Sequence, residues 1–331
     1  MELLSDVYIF PDERSKNIDV VVKAGKDNVK GSLQLCHPEG WIVTPENYEV
    51  DIEKKGAEEI YTFELAPPND QSENFIVPLL YNNDSTAYTD KVTIIEYDHI
   101  PTQTIVKDAS AKVVKLDIKI KGKNVAYIMG AGDKIPESLE QIGYDVDVID
   151  VDEATANNLA KYDALILGIR AYNTVDRIQF YQDDFMNYVE NGGTMIVQYN
   201  TNRRTRVEEI GPYPLQLSRD RVTDETAEVR ILQPDHEIMN YPNKITTKDF
   251  EGWEQERGLY FPDEWDSRYE AILSSNDSGE DPKDGGLLVA KYGKGYFIYT
   301  GYSWFRELPP GVAGAYRIFA NLVSIGKYDR P

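Results

Sequence analysis

At Asn124 the hydrophobic pattern of the chain changes period, and that change constrains the fold more than any other feature. Before it, apolar and polar residues alternate in short runs, as in Tyr48-Glu49-Val50-Asp51-Ile52-Glu53 and Tyr61-Thr62-Phe63-Glu64-Leu65. A period of two puts one face of a strand on a core and the other in water. After it, strand-length apolar runs alternate with segments of helical spacing, the signature of a parallel sheet joined by crossover helices. With 331 residues the chain is long enough for two such cores.

We therefore expect an all-β domain over residues 1–97, a linker over 98–122 and an α/β domain over 123–331. In the first, further strands are expected at residues 7–10, 19–23, 32–36, 75–80 and 92–97. Turns are expected at Lys26-Asp27-Asn28, Pro38-Glu39-Gly40, Pro67-Pro68-Asn69-Asp70 and Asn82-Asn83-Asp84-Ser85. Roughly seven strands at this spacing suggest an immunoglobulin-like sandwich. Pro101 and the lysine-rich stretch 112–123 mark the linker, which ends in a strand.

In the α/β domain the expected strands are residues 125–129, 145–149, 164–169 and 194–198. A helix with apolar stripe Ile135, Leu139 and Ile142 begins near Pro136 and stops at Gly143. A second helix is expected over 176–190, ending at Asn191-Gly192-Gly193. Strands at 228–232 and 271–274 follow, then a hairpin of 287–291 with 296–300 around Gly293-Lys294-Gly295. A last helix over 314–325 carries Ile318, Phe319, Leu322 and Val323 on one face. The expected fold is a doubly wound, mainly parallel α/β sheet.

Composition excludes several functions. The formal net charge of -22 repels phosphate backbones, so nucleic acid is not an expected partner, nor is an anionic membrane surface. The first residues, Met1-Glu2-Leu3-Leu4-Ser5-Asp6, lack the basic and long apolar segments of a leader, and runs such as 164–169 are too short to span a bilayer. The one cysteine, Cys36, allows no internal disulfide and reads as a small apolar residue of the β domain. His37, His99 and His236 share no helix turn, so no zinc motif arises. Asp277-Ser278-Gly279-Glu280-Asp281 lacks the full calcium-loop spacing and reads as a solvated loop. In Gly130-Ala131-Gly132, Ile135 stands where a dinucleotide fingerprint needs its third glycine, although Asp150 sits where a ribose-binding acid would. We expect no metal and no cofactor.

Ligands of open parallel sheets bind outside the carboxyl ends of the strands. That rule selects Asp133 after the first strand, Arg170 and Asn173 after the third, and Tyr199 and Asn200 after the fourth. Glu254, Glu256 and Arg257, in the aromatic-rich run Gly252-Trp253-Glu254-Gln255-Glu256-Arg257-Gly258-Leu259-Tyr260-Phe261, are expected to close the cleft, and aromatic faces beside planar polar groups suit a sugar. The same run also reads as an aromatic core patch with a salt bridge. His236, beside Asp235 and Glu237, is the candidate for acid–base chemistry. No nucleophile accompanies it. Gly-x-Ser-x-Gly is absent, since Phe305 ends Gly301-Tyr302-Ser303-Trp304-Phe305, and Tyr199-Asn200 occupies the natural elbow after strand four.

Six segments carry a family resemblance: Tyr97-Asp98-His99-Ile100-Pro101, Gly130-Ala131-Gly132-Asp133, Gly168-Ile169-Arg170-Ala171-Tyr172-Asn173, Gln198-Tyr199-Asn200-Thr201, Gln255-Glu256-Arg257-Gly258-Leu259-Tyr260-Phe261 and Phe305-Arg306-Glu307-Leu308-Pro309. Together they resemble the C-terminal region of large bacterial LmbE-like (PIG-L-type) N-acetylglucosaminyl deacetylases. The resemblance implies a class I glutamine amidotransferase-like, or ThuA-like, α/β domain behind an immunoglobulin-like module of the kind found beside sugar-binding domains. It also implies export, and an N-terminal deacetylase domain as partner. The deacetylase metal motif His-Pro-Asp-Asp-Glu is missing, with His37-Pro38-Glu39-Gly40 sharing only its first two residues. The amidotransferase cysteine is missing too. The leading expectation is thus a non-catalytic region, carbohydrate-binding or domain-organising, with neither deacetylase nor glutaminase activity. Two alternatives stand beside it: an enzyme of unknown reaction using His236, Asp235 and the loop arginines, and a structural scaffold for a partner domain.

Overall fold

The computed structural model describes residues 1–82 and 86–328. The turn expected at 82–85 therefore lies, except for Asn82, outside the described residues. The chain divides into two compact units, Met1–Asp117 and Ile118–Pro331.

The first unit is built from strands β1 (Glu2–Leu3), β2 (Val7–Phe10), β3 (Lys16–Lys23), β4 (Val29–Cys36), β5 (Ile42–Thr44), β6 (Tyr48–Ile52), β7 (Glu58–Ala66), β8 (Ser72–Asn82), β9 (Ala87–Tyr88), β10 (Asp90–Tyr97), β11 (Ile100–Asp108) and β12 (Ala111–Lys115). One sheet runs β1-β3-β7-β5 and the other β2-β12-β8-β4-β6, with β9 on β8. Alternate residues of each, such as Ile18, Val20 and Val22 of β3 and Leu33 and Leu35 of β4, meet in one shared core. One residue departs from expectation. Cys36, the last residue of β4, is exposed and does not serve as a core residue. Phe10 and Trp41 anchor the core instead, edge to face at 4.9 Å.

Most of residues 98–122 lies in two strands of the first unit. β11 pairs antiparallel with β10 as a two-stranded ribbon, and Pro101 is tolerated near the start of β11 because no strand needs its missing N–H. β12 lies between β2 and β8, with Ala111, Val113 and Val114 buried. Its lysines gave the segment a solvated look, but Lys112 reaches out to Glu73 at 2.7 Å while the backbone stays in the sheet.

The second unit has a seven-stranded sheet. Its parallel part is β13 (Asn124–Ile128), β14 (Asp145–Val148), β15 (Ala164–Leu167) and β16 (Thr194–Gln198). Strands β17 (Leu215–Val222), β18 (Val229–Ile231), β19 (Gly258–Trp265), β20 (Tyr269–Ala271), β21 (Leu273–Ser275), β22 (Leu287–Tyr292) and β23 (Gly295–Thr300) follow. The order is β14-β13-β15-β16-β23-β22-β20, so the chain reverses direction across the sheet at β13. β22 and β23 form the expected hairpin, but β23 also pairs parallel with β16. β17 pairs with β19, and β18 with β21, as separate ribbons.

Helices α1 (Ile135–Gln141), α2 (Ala156–Leu159), α3 (Ala171–Thr174), α4 (Gln182–Glu190), α5 (Glu237–Asn240), α6 (Trp304–Glu307) and α7 (Ala313–Ser324) complete the unit. Alternation sorts the sheet residues. Ala126, Leu165, Leu167, Met195 and Val197 pack in one cluster with Phe185 and Val189 of α4. On the opposite face the Tyr144 hydroxyl meets Ala320 and Ser324 of α7. Helices on both faces of a mainly parallel sheet make this a doubly wound α/β unit. The helix expected over 176–190 is broken: Arg177 sits at φ 70, a 3-10 turn covers Ile178–Tyr181, and α4 begins only at Gln182.

Candidate functional site

The reversal at β13 should open a crevice between the carboxyl ends of β13 and β15. Backbone fills it. Ala131 N–H donates to the Ile169 carbonyl at 2.8 Å. A side chain at Gly130 would start 2.1 Å from that carbonyl and 2.9 Å from the Ala171 nitrogen, so only glycine allows the loops to approach. Gly130→Ala should cost about 2 kcal/mol or more, because the clash is with backbone that cannot swing away. Urea denaturation followed by tryptophan fluorescence measures this. A loss under about 0.5 kcal/mol, the usual surface range, would mean the loops are not locked together.

Several expected ligand groups are consumed beside this junction. Asp133 accepts the Tyr127 hydroxyl at 2.6 and 2.7 Å and the amides of Ile135 and Ile169 at 3.1 and 3.3 Å. Burial pushes its carboxyl upward, and these donors pull the other way. Gln198 Nε2 donates to the Tyr127 hydroxyl at 2.9 Å, extending the chain to β16. Asn200 is fully buried. Its Oδ1 accepts Tyr172 N–H at 2.9 Å and its Nδ2 donates to the Gln198 carbonyl at 2.9 Å. Asn173 ties the loops after β15 and β16 together through Thr201 and Arg203. These three residues hold the loops in shape.

The residue forced into the left-handed region is Arg170, at φ 58 and ψ 23, rather than Tyr199 or Asn200. Its N–H donates to the Tyr199 carbonyl at 2.8 Å. Its side chain forms no ion pair with Asp133, and its Nε is buried without a hydrogen-bond partner. Tyr199, 8% exposed, lies parallel to Tyr260 at 6.1 Å and against Phe305 at 5.5 Å. Burial raises its hydroxyl pKa, and the nearby charges of Arg170 and Arg306 oppose that rise. Arg306 in turn pairs with Glu256 at 2.9 Å and with the Gln255 amide oxygen. Arg170, Tyr199, Tyr260, Phe305, Arg306 and Glu256 thus converge at one end of the sheet. Six non-glycine residues among those described have positive φ, and Arg170, Arg204, Gln255 and Tyr260 are four of them. Strain of this kind, about 1 kcal/mol or more per residue, persists where surrounding structure over-determines the backbone and clusters at functional positions.

The other expected residues lie elsewhere. Arg257 is 4% exposed, donates to the carbonyls of Ala227 at 2.9 Å and Phe250 at 2.6 Å, and sits 5.2 Å from the Trp253 ring. It is a core residue of the aromatic patch and cannot reach a ligand. Glu254 is exposed, and its backbone N–H, not its carboxylate, makes the structural contact, to Glu307 at 2.8 Å. His236 caps α5, its Nδ1 accepting Ile238 N–H at 3.1 Å, and its Nε2 lies 3.8 Å from Glu237 and 3.9 Å from Glu270 of β20. β20 is the far edge of the sheet, four strands from β15, or about 19 Å at usual spacing. Asp235 beside it is exposed. His236 and Arg170 therefore do not share a cleft. In the acidic loop, Asp277 accepts the Thr223 and Asp224 amides, so it ties that loop to the segment after β17.

Arg306 and Phe305 were missed as site residues because β23 reads as half of a hairpin. Its parallel pairing with β16, invisible in the sequence, brings residues 301–306 to the same edge. Tyr127 and Gln198 did leave a signal: each is a polar group on a mainly apolar buried strand, and such groups need partners.

No family model and no curated protein matches this chain. Among solved structures it is similar to a GMP synthase component from Thermoplasma acidophilum, at 12% identity over 63% of this chain and 96% of that one, with a TM-score of 0.42. A ThuA-like protein from Bacteroides uniformis is similar at 16% identity, over 62% of this chain and 89% of that one, with a TM-score of 0.36. The β-galactosidase from Rahnella sp. R3 is similar at 16% identity over 64% of this chain but 32% of that one, with a TM-score of 0.38. The fold assignment rests on strand order and pairing, not on these similarities. Among the described residues no helix is long and apolar enough to cross a membrane.

Proposed function

We propose that the chain is a non-catalytic region whose α/β unit binds a carbohydrate at the carboxyl edge of its sheet. The observation that carries this is the Tyr199–Tyr260–Phe305 aromatic group beside Arg170, whose buried Nε has no partner. Aromatic faces take the apolar side of a sugar ring, and a guanidinium fork takes its oxygens. The polar residues that chemistry would need are spent on internal hydrogen bonds, and His236 stands at the far edge. By the resemblance of its segments, we read the unit as class I glutamine amidotransferase-like and the preceding two-sheet unit as immunoglobulin-like. The same resemblance makes the chain an exported accessory part of an LmbE-like sugar deacetylase, with that catalytic domain as partner.

Arg170→Ala tests the reading. It should weaken binding of oligosaccharides at least tenfold by calorimetry, while shifting stability by only about 1 kcal/mol, since it breaks no ion pair. Undiminished binding, or a stability loss of about 3 kcal/mol with no ligand found on a glycan array, would overturn it.

A further inference from the structure

Among the described residues, the arginines that have neither a carboxylate partner nor a carbonyl cage are Arg170, Arg203, Arg204, Arg219 and Arg221. All of them follow β15 or β16 or lie on β17. The chain carries 57 acidic residues against 35 basic ones, so a scattered cation would readily meet a carboxylate. Here none does. Arg203, Arg219 and Arg221 surround a cavity of about 490 Å³ together with Thr201, Asn202 and Tyr260, and no carboxylate lines it. Across Asn202 the adjoining cavity has the opposite character, with Glu208, Glu209, Glu264 and Asp266 in its wall. The acids are thus segregated: Asp266 is paired with Arg268, and none of the four lines the arginine cavity. Three guanidinium groups around one space repel one another, and nothing on that wall offsets the repulsion. An anion entering the cavity would.

Tyr260 joins this cavity to the aromatic group. It lines the cavity and stacks on Tyr199, and its backbone is held at φ 55, which fixes the ring where a bulky residue rarely goes. We propose that the cavity receives the anionic substituent, a carboxylate or a sulfate, of an acidic carbohydrate whose ring lies against Tyr260. This rests on the carbohydrate reading above and narrows it to a class. Planar guanidinium forks bind both groups through paired N–H donors, and threonine and asparagine side chains beside them suit neighbouring hydroxyls.

Isothermal titration of the full chain with trigalacturonic acid, a sulfated chondroitin disaccharide, neutral cellotriose and inorganic pyrophosphate tests the inference. Trigalacturonate or the sulfated disaccharide should bind at least tenfold tighter than cellotriose, with an affinity that falls as salt rises. The Arg219→Gln, Arg221→Gln double variant should weaken that binding at least tenfold and leave cellotriose binding and the melting temperature unchanged. Equal affinity for acidic and neutral sugars would overturn the inference and leave the carbohydrate reading standing. Binding of pyrophosphate alone, lost in the double variant, would overturn the carbohydrate reading and reduce the cavity to a simple anion site. Binding of none of the four would overturn both.

Discussion

Arg257→Ala should destabilise the α/β unit by about 3–5 kcal/mol, whereas Arg170→Ala should cost about 1 kcal/mol. Both arginines follow from the sequence as cleft residues, yet the fold gives Arg257 two carbonyl partners and leaves Arg170 Nε with none. Arg257 is buried, its Nε and Nη1 donate to the Ala227 and Phe250 carbonyls, and its charge lies against the Trp253 ring. Truncation leaves both carbonyls short of a donor in a dry site, at about 1–3 kcal/mol each, and opens a cavity beside Trp253, Tyr302 and Trp304. Arg257→Lys should recover only part of the loss, because an ammonium cannot reproduce the fork. Denaturant unfolding followed by tryptophan fluorescence reports directly, since Trp253 and Trp304 are part of the same patch. An Arg257→Ala loss below about 1 kcal/mol would place Arg257 in a wet, replaceable position and contradict its burial.

Stability of the same unit should fall between about pH 4 and pH 8 through Glu307. This carboxyl is fully buried at the C-terminal end of α6; one oxygen accepts Glu254 N–H at 2.8 Å and the other has no partner. Burial pushes its pKa up to about 8, against the weaker pull of the Glu254 amide, Arg257 and Arg306. In the unfolded chain a glutamate titrates near 4.3. Between those values the folded unit holds a proton the unfolded chain has lost. The stabilisation is therefore complete below about pH 4 and is lost as pH rises through 8, by up to ~1.4 kcal/mol per unit. Glu307→Gln keeps an acceptor for Glu254 and removes the ionisation. It should be close to neutral at pH 5 and more stable than the parent by about 2–4 kcal/mol at pH 9. Parallel pH profiles for parent and variant would show Glu307 ionised in the fold and refute the assignment. Asp266, held at about 2 by Arg268, acts in the other direction and only at low pH, so it does not mask the effect.

The two-part organisation and most of the strands follow from the amino-acid order alone, because the period of apolar residues is a local property. Val7–Phe10, Tyr48–Ile52 and Thr194–Gln198 were legible from alternation or from unbroken apolar runs. That Arg170 and Tyr199 stand at strand ends was legible too, since it follows from where a run stops. What those ends face depended on the folded arrangement. Residues 100–115 became two strands because β2 and β8 offered β12 a place between them, a non-local pairing that lysine content concealed. β23 delivered Phe305 and Arg306 to the site because it joined β16, about a hundred residues earlier. Asn200 and Arg257 became structural, and Arg306 and Tyr260 part of the candidate site, through burial and partner choice. A side chain's exposure depends on atoms brought together from all over the chain, and no local pattern encodes it.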